Sequence, residues 1–579
     1  MRRTLPVLLP VLLLVLLLAP SALADGLAER YRESAGKIIG AALADDEGWE
    51  KLTYLTTAIG HRLSGSLQLE LAVDWAYGRM REEGLENVWK QPAKVTHWVR
   101  GREHAEVVAP VRRELLILGL GGSVGTPADG VTAPAVVVES FDELDALPDE
   151  AVAGKVVVYA VEWVGYGGTV RYRGAGASRA AARGAVAVLV RSATGRSLAT
   201  PHTGALRYDE ESPRIPAAAI TVEDAEWFKR MRDLGQEVTV KLVMGAETLP
   251  EADSANVIAE IAGSELPHEV VVMGGHYDSW DVGQGAHDDG AACVAAWQAL
   301  TLIHRLGLRP RRTLRVVLWT NEENGLGGAR AYREWVGEEV GGHVAAIEMD
   351  GGAERPVGFG FGLSGVEPES GDPAYEAAYA TLREIGSLLA GLDASEISRG
   401  GGGADIGPLM RDGVPGLAFR TVGEHYFDWH HTHADTLDKV DPENFRKAVA
   451  MLGVMGFVLA DAPERLTPVR EPAPEPPSGV RPRATMPRAI LAWMGGQGRG
   501  RPGQTERGED GSSEHLGRTS AATRAAREGR VRPRPGHPHP QKRQRGADLD
   551  GGVGSLSRNG ASIEGPRGAE SLAPIIRRP

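Results

Sequence analysis

From about Asp253 onward the chain alternates short apolar runs with longer amphipathic segments. Val270–Met273, Leu314–Trp319, Val344–Met349 and Leu417–Phe419 read as buried strands. Gly290–Leu306, Gly328–Glu339, Pro373–Leu392 and the stretch after Asp441-Pro442 read as helices. That rhythm restricts the fold to an α/β sheet with helices packed on it. In such sheets, groups that handle ligands collect beyond the C-terminal ends of the strands.

Four turns in those places carry acids or histidines. "GGHYDSWDVGQGAHDDG", residues 274–290, follows the first strand and holds two histidines and four aspartates. "TNEENGLGGARAY" follows the second strand, "EMDGG" the third, and "HHTHADT" comes shortly after the fourth. An exposed Glu-Glu pair is ordinarily a solvated turn, and a lone Asp at a strand end is often a helix cap. Four such turns in order, all past strand ends of one sheet, are poorly explained by solubility. Carboxylates this crowded repel unless cations, protons or solvent intervene. Imidazole mixed with carboxylates suits Zn²⁺, and two divalent ions need an anionic bridge between them.

The rest of the chain divides by texture. Residues 1–24 read as an export signal: Arg2 and Arg3, an apolar Leu5–Leu18 shorter than the ~20 residues of a membrane span, and Ala22-Leu23-Ala24 as a cleavage site. The other reading of that run is an uncleaved anchor. No later run reaches spanning length, which predicts no membrane span once the signal is removed. Residues 25–118 mix a helical pattern at Leu67–Glu83 with a strand-like Glu106–Val108. Residues 119–245 carry short β-rich runs at Ala135–Val138, Lys155–Ala160 and Ala187–Val190, joined by Gly- and Ala-rich connections, and read as an inserted module. One discontinuous domain of 25–118 and 246–466 is expected around it. Residues 467–579 lose periodicity and carry 20 Lys and Arg against 11 Asp and Glu, the composition of a disordered basic tail. The whole chain has a formal net charge of -13, which argues against a nucleic-acid partner. Its one cysteine, Cys293, permits no intramolecular disulfide, so an exported chain must rely on its core.

The motifs "GGHYDSWDVGQGAHDDG", "LWTNEENGLGGA", "EMDGG" and "HHTHADT" resemble the di-zinc metallopeptidase family of aminopeptidases and glutamate carboxypeptidases. The resemblance covers about residues 27–460 and is most specific over 250–440. It implies a three-layer α/β/α peptidase domain with a mixed central sheet, and a protease-associated lid in the inserted module. It implies two Zn²⁺, one on His276 and Asp350, the other on Glu323 and His431, with Asp288 bridging both. Asp278 would orient His276 from behind, the Asp288–Asp289 peptide would be cis, and Glu322 would be the general base on a bridging water. The implied reaction is hydrolysis of short peptides, with unblocked dipeptides favoured, and the implied assembly is a homodimer. A general aminopeptidase is the alternative within the family.

Two departures from the family stand out. His287 precedes the bridging aspartate where Met or Asn is expected. Gly400–Gly403 replace side chains of polar function, so backbone N–H groups of the Ser398–Asp405 loop would have to serve a substrate carboxylate instead. His430 and His433 are neighbours of His431 with open roles. Two rivals remain. Gly121-Gly122-Ser123-Val124-Gly125 fits the G-x-S-x-G of serine hydrolases, but turn residues rather than a helix follow it. A non-catalytic binding protein on the same fold is the cross-class alternative; the presence of all five ligands and the base argues against it.

Overall fold

The computed structural model describes residues 26–469. The expected export signal, residues 1–24, and all but the first three residues of the expected tail, 467–579, lie outside the described residues. Among the described residues, no helix is long and apolar enough to cross a membrane.

Among the described residues, sixteen strands form two sheets. The chain enters the first with β1 (Glu86–Val99) and leaves it for β2 (Glu103–Ala109), β3 (Arg113–Leu115), β4 (Ile117–Gly119), β5 (Val131–Val138), β6 (Val156–Tyr159), β7 (Ala187–Arg191), β8 (Ala217–Ile220) and β9 (Thr239–Met244). It then returns with β10 (Glu247–Ile261), β11 (Leu266–His276), β12 (Arg312–Trp319), β13 (His343–Glu348), β14 (Pro356–Gly362), β15 (Glu396–Arg399) and β16 (Gly416–Thr421).

The first sheet has the order β1-β10-β12-β11-β13-β16-β14-β15. Its centre, β12-β11-β13-β16, is parallel, while β10 and β14 are antiparallel to their inner neighbours. The apolar runs are unbroken because both faces are covered. Val271, Met273, Leu314, Val316 and Leu318 join a core under the helices Leu27–Leu43, Ala291–Arg305 and Pro442–Asp461. The alternate residues Val270, Val272, Val317 and Trp319 join a smaller core with Tyr332 and Val336 of the helix Gly327–Val336. Three layers, helix–sheet–helix, follow from that alternation.

The second sheet has the order β3-β2-β9-β5-β6-β7-β8-β4, and β5-β6-β7-β8 run parallel. It begins at Glu103, ahead of the boundary at residue 119 that composition suggests; β2 and β3 are not compositionally distinct from what precedes them. Nor is this module β-rich with loops. Parallel strands need crossovers, and Tyr166–Ala182 supplies one as a helix of 17 residues, where Gly and Ala suggest a loose connection. Its small residues allow close packing: a Cβ at Gly176 would come within 2.8 Å of the Tyr159 ring. A second helix, Val222–Asp233, is capped by the Thr221 hydroxyl, which accepts from the Asp224 N–H at 3.0 Å.

Candidate metal centre

Each central strand delivers its polar residues at the same end of the first sheet. His276 closes β11, Glu322 and Glu323 follow β12, and Asp350 follows β13. Asp288 sits in the turn before the helix Ala291–Arg305, and His431 follows the short helix Tyr426–Trp429 beyond β16. The Asp288–Asp289 peptide is cis.

Asp288 divides its two oxygens. Oδ1 lies 3.0 Å from His276 Nε2, which is itself 3.5 Å from Asp350 Oδ1. Oδ2 lies 3.2 Å from His431 Nε2, which is 3.0 Å from Glu323 Oε2. Two groups of polar atoms thus meet at one carboxylate.

The far side of each imidazole fixes which nitrogen is free. His276 Nδ1 faces the Asp278 carbonyl oxygen at 3.0 Å, and His431 Nδ1 faces the Thr203 carbonyl oxygen at 3.2 Å. A carbonyl only accepts, so in its neutral form each ring would hold its proton on Nδ1 and present the Nε2 lone pair to the carboxylates. Lone pairs then meet lone pairs around Asp288 unless a cation or proton sits between them. Asp288 Oδ2 is buried without a hydrogen-bond partner.

The electrostatics agree. Burial, then the Asp288 charge, pushes Glu323 up to about 7. Glu322 and Asp289 are driven well above the usual carboxylate range by burial and by neighbouring acids. Burial works against a charge on His431, but Glu323 and Asp288 raise it to about 9. The cluster gathers protons for want of positive charge, which is the condition a divalent ion relieves.

Around this core the structure adds detail and corrections. The Asp278 carboxylate is 4.0 Å from His276 Nδ1, so it does not orient the ring directly; the backbone carbonyl of Asp278 does. Its carboxylate instead accepts from the Glu322 N–H at 2.9 Å, the Glu323 N–H at 3.3 Å and the Ser64 hydroxyl at 3.1 Å. Asp278 therefore positions the Glu-Glu turn. Asp435, which the sequence motif contains without suggesting a role, accepts from the N–H groups of Ala286, His287 and Asp288 at 3.1, 2.7 and 3.2 Å. It holds the turn that aims Asp288.

His287 points away: its Nδ1 accepts from the Ala353 N–H at 3.0 Å and its ring packs on Trp429. His430 stacks on His431 with ring centroids 3.6 Å apart, and its Nε2 is 3.6 Å from Asp288 Oδ2. His433 stands outside this set, beside the charges of Arg100 and Asp281. The Gly-rich loop is less free than its composition suggests. Ala404 and Ile406 N–H groups both donate to the Glu348 carboxylate at 2.8 Å, and a side chain at Gly403 would collide with that carboxylate. Asp405 in the same loop is buried, and neither carboxylate oxygen has a hydrogen-bond partner. Ser123 is no nucleophile: it is fully buried, its hydroxyl accepts from the Ala217 N–H at 2.9 Å, and no helix follows it.

The profile of Peptidase family M28 matches residues 256–455. Carboxypeptidase Q of Pongo abelii is 43% identical over 439 residues, covering 75% of this chain and 90% of that protein. Carboxypeptidase Q of Xenopus laevis is 43% identical and is covered to 91%. Among solved structures, a peptidase M28 precursor from Shewanella amazonensis SB2B superposes with a TM-score of 0.71 at 33% identity, over 76% of this chain and 99% of that one. An aminopeptidase from Aneurinibacillus sp. strain AM-1 shares the fold, with a TM-score of 0.54 at 20% identity over 76% and 98% of the two chains. With the fold and the acid–histidine cluster, these likenesses define a metallo-exopeptidase. The chain belongs to peptidase family M28.

Proposed function

We propose that this chain is an exported exopeptidase that uses two zinc ions to hydrolyse short peptides, foremost dipeptides with both termini free. The observation that carries the reading is the division of Asp288 between two donor groups, His276 with Asp350 and His431 with Glu323. Imidazole nitrogens with carboxylate oxygens are a donor set that zinc favours, and the bare cluster has an excess of buried acid that two divalent ions would neutralise. Bound there, a zinc pair supplies Lewis acidity and makes water acidic enough to lose a proton near neutral pH.

The protein's own groups do the rest. Glu322 stands at the acid-rich end of the cluster with its proton affinity raised by burial. In this reading it takes a proton from the attacking water and passes it to the departing amine. Asp278 aims that base through the two N–H groups it accepts. Its replacement by Asn is expected to cost about 10–100-fold in metal affinity or turnover, the range of groups that orient ligands. Zinc titration against a competing chelator, with kcat measured on the same samples, checks this; a larger loss than at Asp288 would reverse the two roles.

The second sheet's domain acts as a lid in this reading. Thr203 and Tyr166 belong to it, and the one lies against His431 and the other against His430. A lid so close favours small substrates, because closure excludes water and limits length. Residues 1–24 would direct export. The test compares a dipeptide, its C-terminal amide and a tetrapeptide with the same N-terminal residue. A kcat/KM for the free dipeptide at least tenfold above both others is expected. Equal values on all three would sink the dipeptidase reading and leave a general aminopeptidase.

A further inference from the structure

A second cluster of charge lies beside the second sheet and borders the metal centre at one point, Arg173, whose Nη1 is 3.3 Å from His431 Nδ1. Arg173 of the helix Tyr166–Ala182, Arg191 at the end of β7, and His202 line one internal cavity, with Leu120, Thr169 and Val190 among its walls. The cavity has room for one water-sized occupant. All three polar side chains are more than nine-tenths buried, at 7%, 7% and 2% exposure.

Their partners are all neutral or cationic. Arg173 donates to the Thr203 carbonyl at 3.1 Å and to the Tyr166 hydroxyl at 2.7 Å, and its Nη1 lies 3.3 Å from His431 Nδ1. Arg191 donates to the carbonyls of Ser192 and Thr194 at 2.9 and 3.1 Å. Among the described residues, neither guanidinium has a carboxylate within salt-bridge distance, and Glu223 and Glu226 act on Arg191 only at longer range. Arg173 Nε and both ring nitrogens of His202 are buried without a partner at hydrogen-bond geometry. Burial, then the positive charges of His431, Arg173 and Arg191, pushes His202 down to about 3, with the His430 carbonyl beside it working the other way. Gly204 makes the arrangement possible: with φ at +133°, it has no Cβ to collide with the Arg173 guanidinium.

Two buried guanidinium groups without an anion are costly. Arg173 Nε and the single N–H of the neutral His202 ring are orphaned donors beside a space for one small particle, and they ask for an acceptor that is negative and needs no fixed geometry. We propose that this cavity is a binding site for a small monovalent anion of the halide class, chloride being the one at hand, held by Arg173, Arg191 and His202. Its consequence reaches the metal centre by one step. Arg173 and His431 Nδ1 converge on the same Thr203 carbonyl, so the anion that fixes Arg173 also fixes the acceptor that orients His431.

The test uses the zinc-loaded full chain in chloride-free buffer. Chloride and bromide are titrated against gluconate at equal ionic strength, and the melting temperature is read. A saturable rise of roughly 3 °C with either halide is expected, and none with gluconate. Arg191→Met, a change remote from the acids, should abolish the rise. Crystals grown with bromide should give an anomalous peak in the cavity of the unaltered protein, which keeps the proposal testable should the variant not fold. Equal responses to halide and gluconate, a halide response that survives Arg191→Met, or a cavity that refines as water alone in bromide would each overturn it.

Discussion

Glu322→Gln is expected to leave bound zinc and the melting temperature unchanged while kcat falls by at least ~10²–10⁴-fold, the usual contribution of a positioned acid–base group. The reasoning separates two properties of the side chain. Glu322 takes no part in the two donor groups around Asp288, so an amide there removes no ligand. Its backbone N–H, not its carboxylate, is what Asp278 grips, so the turn survives the change. What disappears is the ability to accept a proton. Metal analysis, melting temperature and kcat on one preparation decide the matter, and near-normal turnover in a metal-replete variant would remove Glu322 from the mechanism.

Asp288→Ala is expected to do the reverse, with zinc lost from both positions together. One half of the cluster keeps His276 with Asp350, and the other keeps His431 with Glu323 beside the stacked His430, so neither retains the shared carboxylate. The fall in affinity should exceed the ~10–100-fold of an orienting group, and the rise in melting temperature on adding zinc should vanish with it. Plasma mass spectrometry of dialysed protein gives the zinc count. Loss of one ion with full retention of the other would show that Asp288 serves a single site.

Much of this architecture is written in local pattern. The strands of the parallel centre are legible because each is a continuous apolar run covered on both faces, and their polar turns are legible because chemistry-bearing residues cluster there. What escapes is whatever depends on partners distant in sequence. β14, Pro-Val-Gly-Phe-Gly-Phe-Gly, is not among the strands the sequence suggests, and its glycines are there because neighbouring strands approach closely: a Cβ at Gly358 would meet the Glu396 carbonyl. The helix Tyr166–Ala182 is hidden by its glycines for the same reason. Within the site, the donor groups follow from motif, while Asp435 does not, because its three N–H donors lie about 150 residues upstream and no spacing rule links them. The acceptor on His431 is harder still, since it is the backbone carbonyl of Thr203, 228 residues away in sequence.

β1 and β10 pair antiparallel from Glu86↔Glu260 to Val99↔Glu247, so the second sheet stands where a hairpin would have its turn. The neck continues the ladder, with the Gly245 N–H donating to the Arg102 carbonyl at 2.8 Å. To the first sheet, residues 100–246 are a single tight connection whose ends the second sheet presents already side by side, so its length adds little to the cost of closing the hairpin. Besides this neck, the segment shares a buried core with the first sheet's side, where Trp98, Trp280 and Val282 pack with Leu118 and Met244. A two-residue Asn-Gly turn in its place should leave the eight-stranded sheet folded, and it would subtract from the metal centre the single carbonyl, that of Thr203, that now sets the face His431 shows to Asp288.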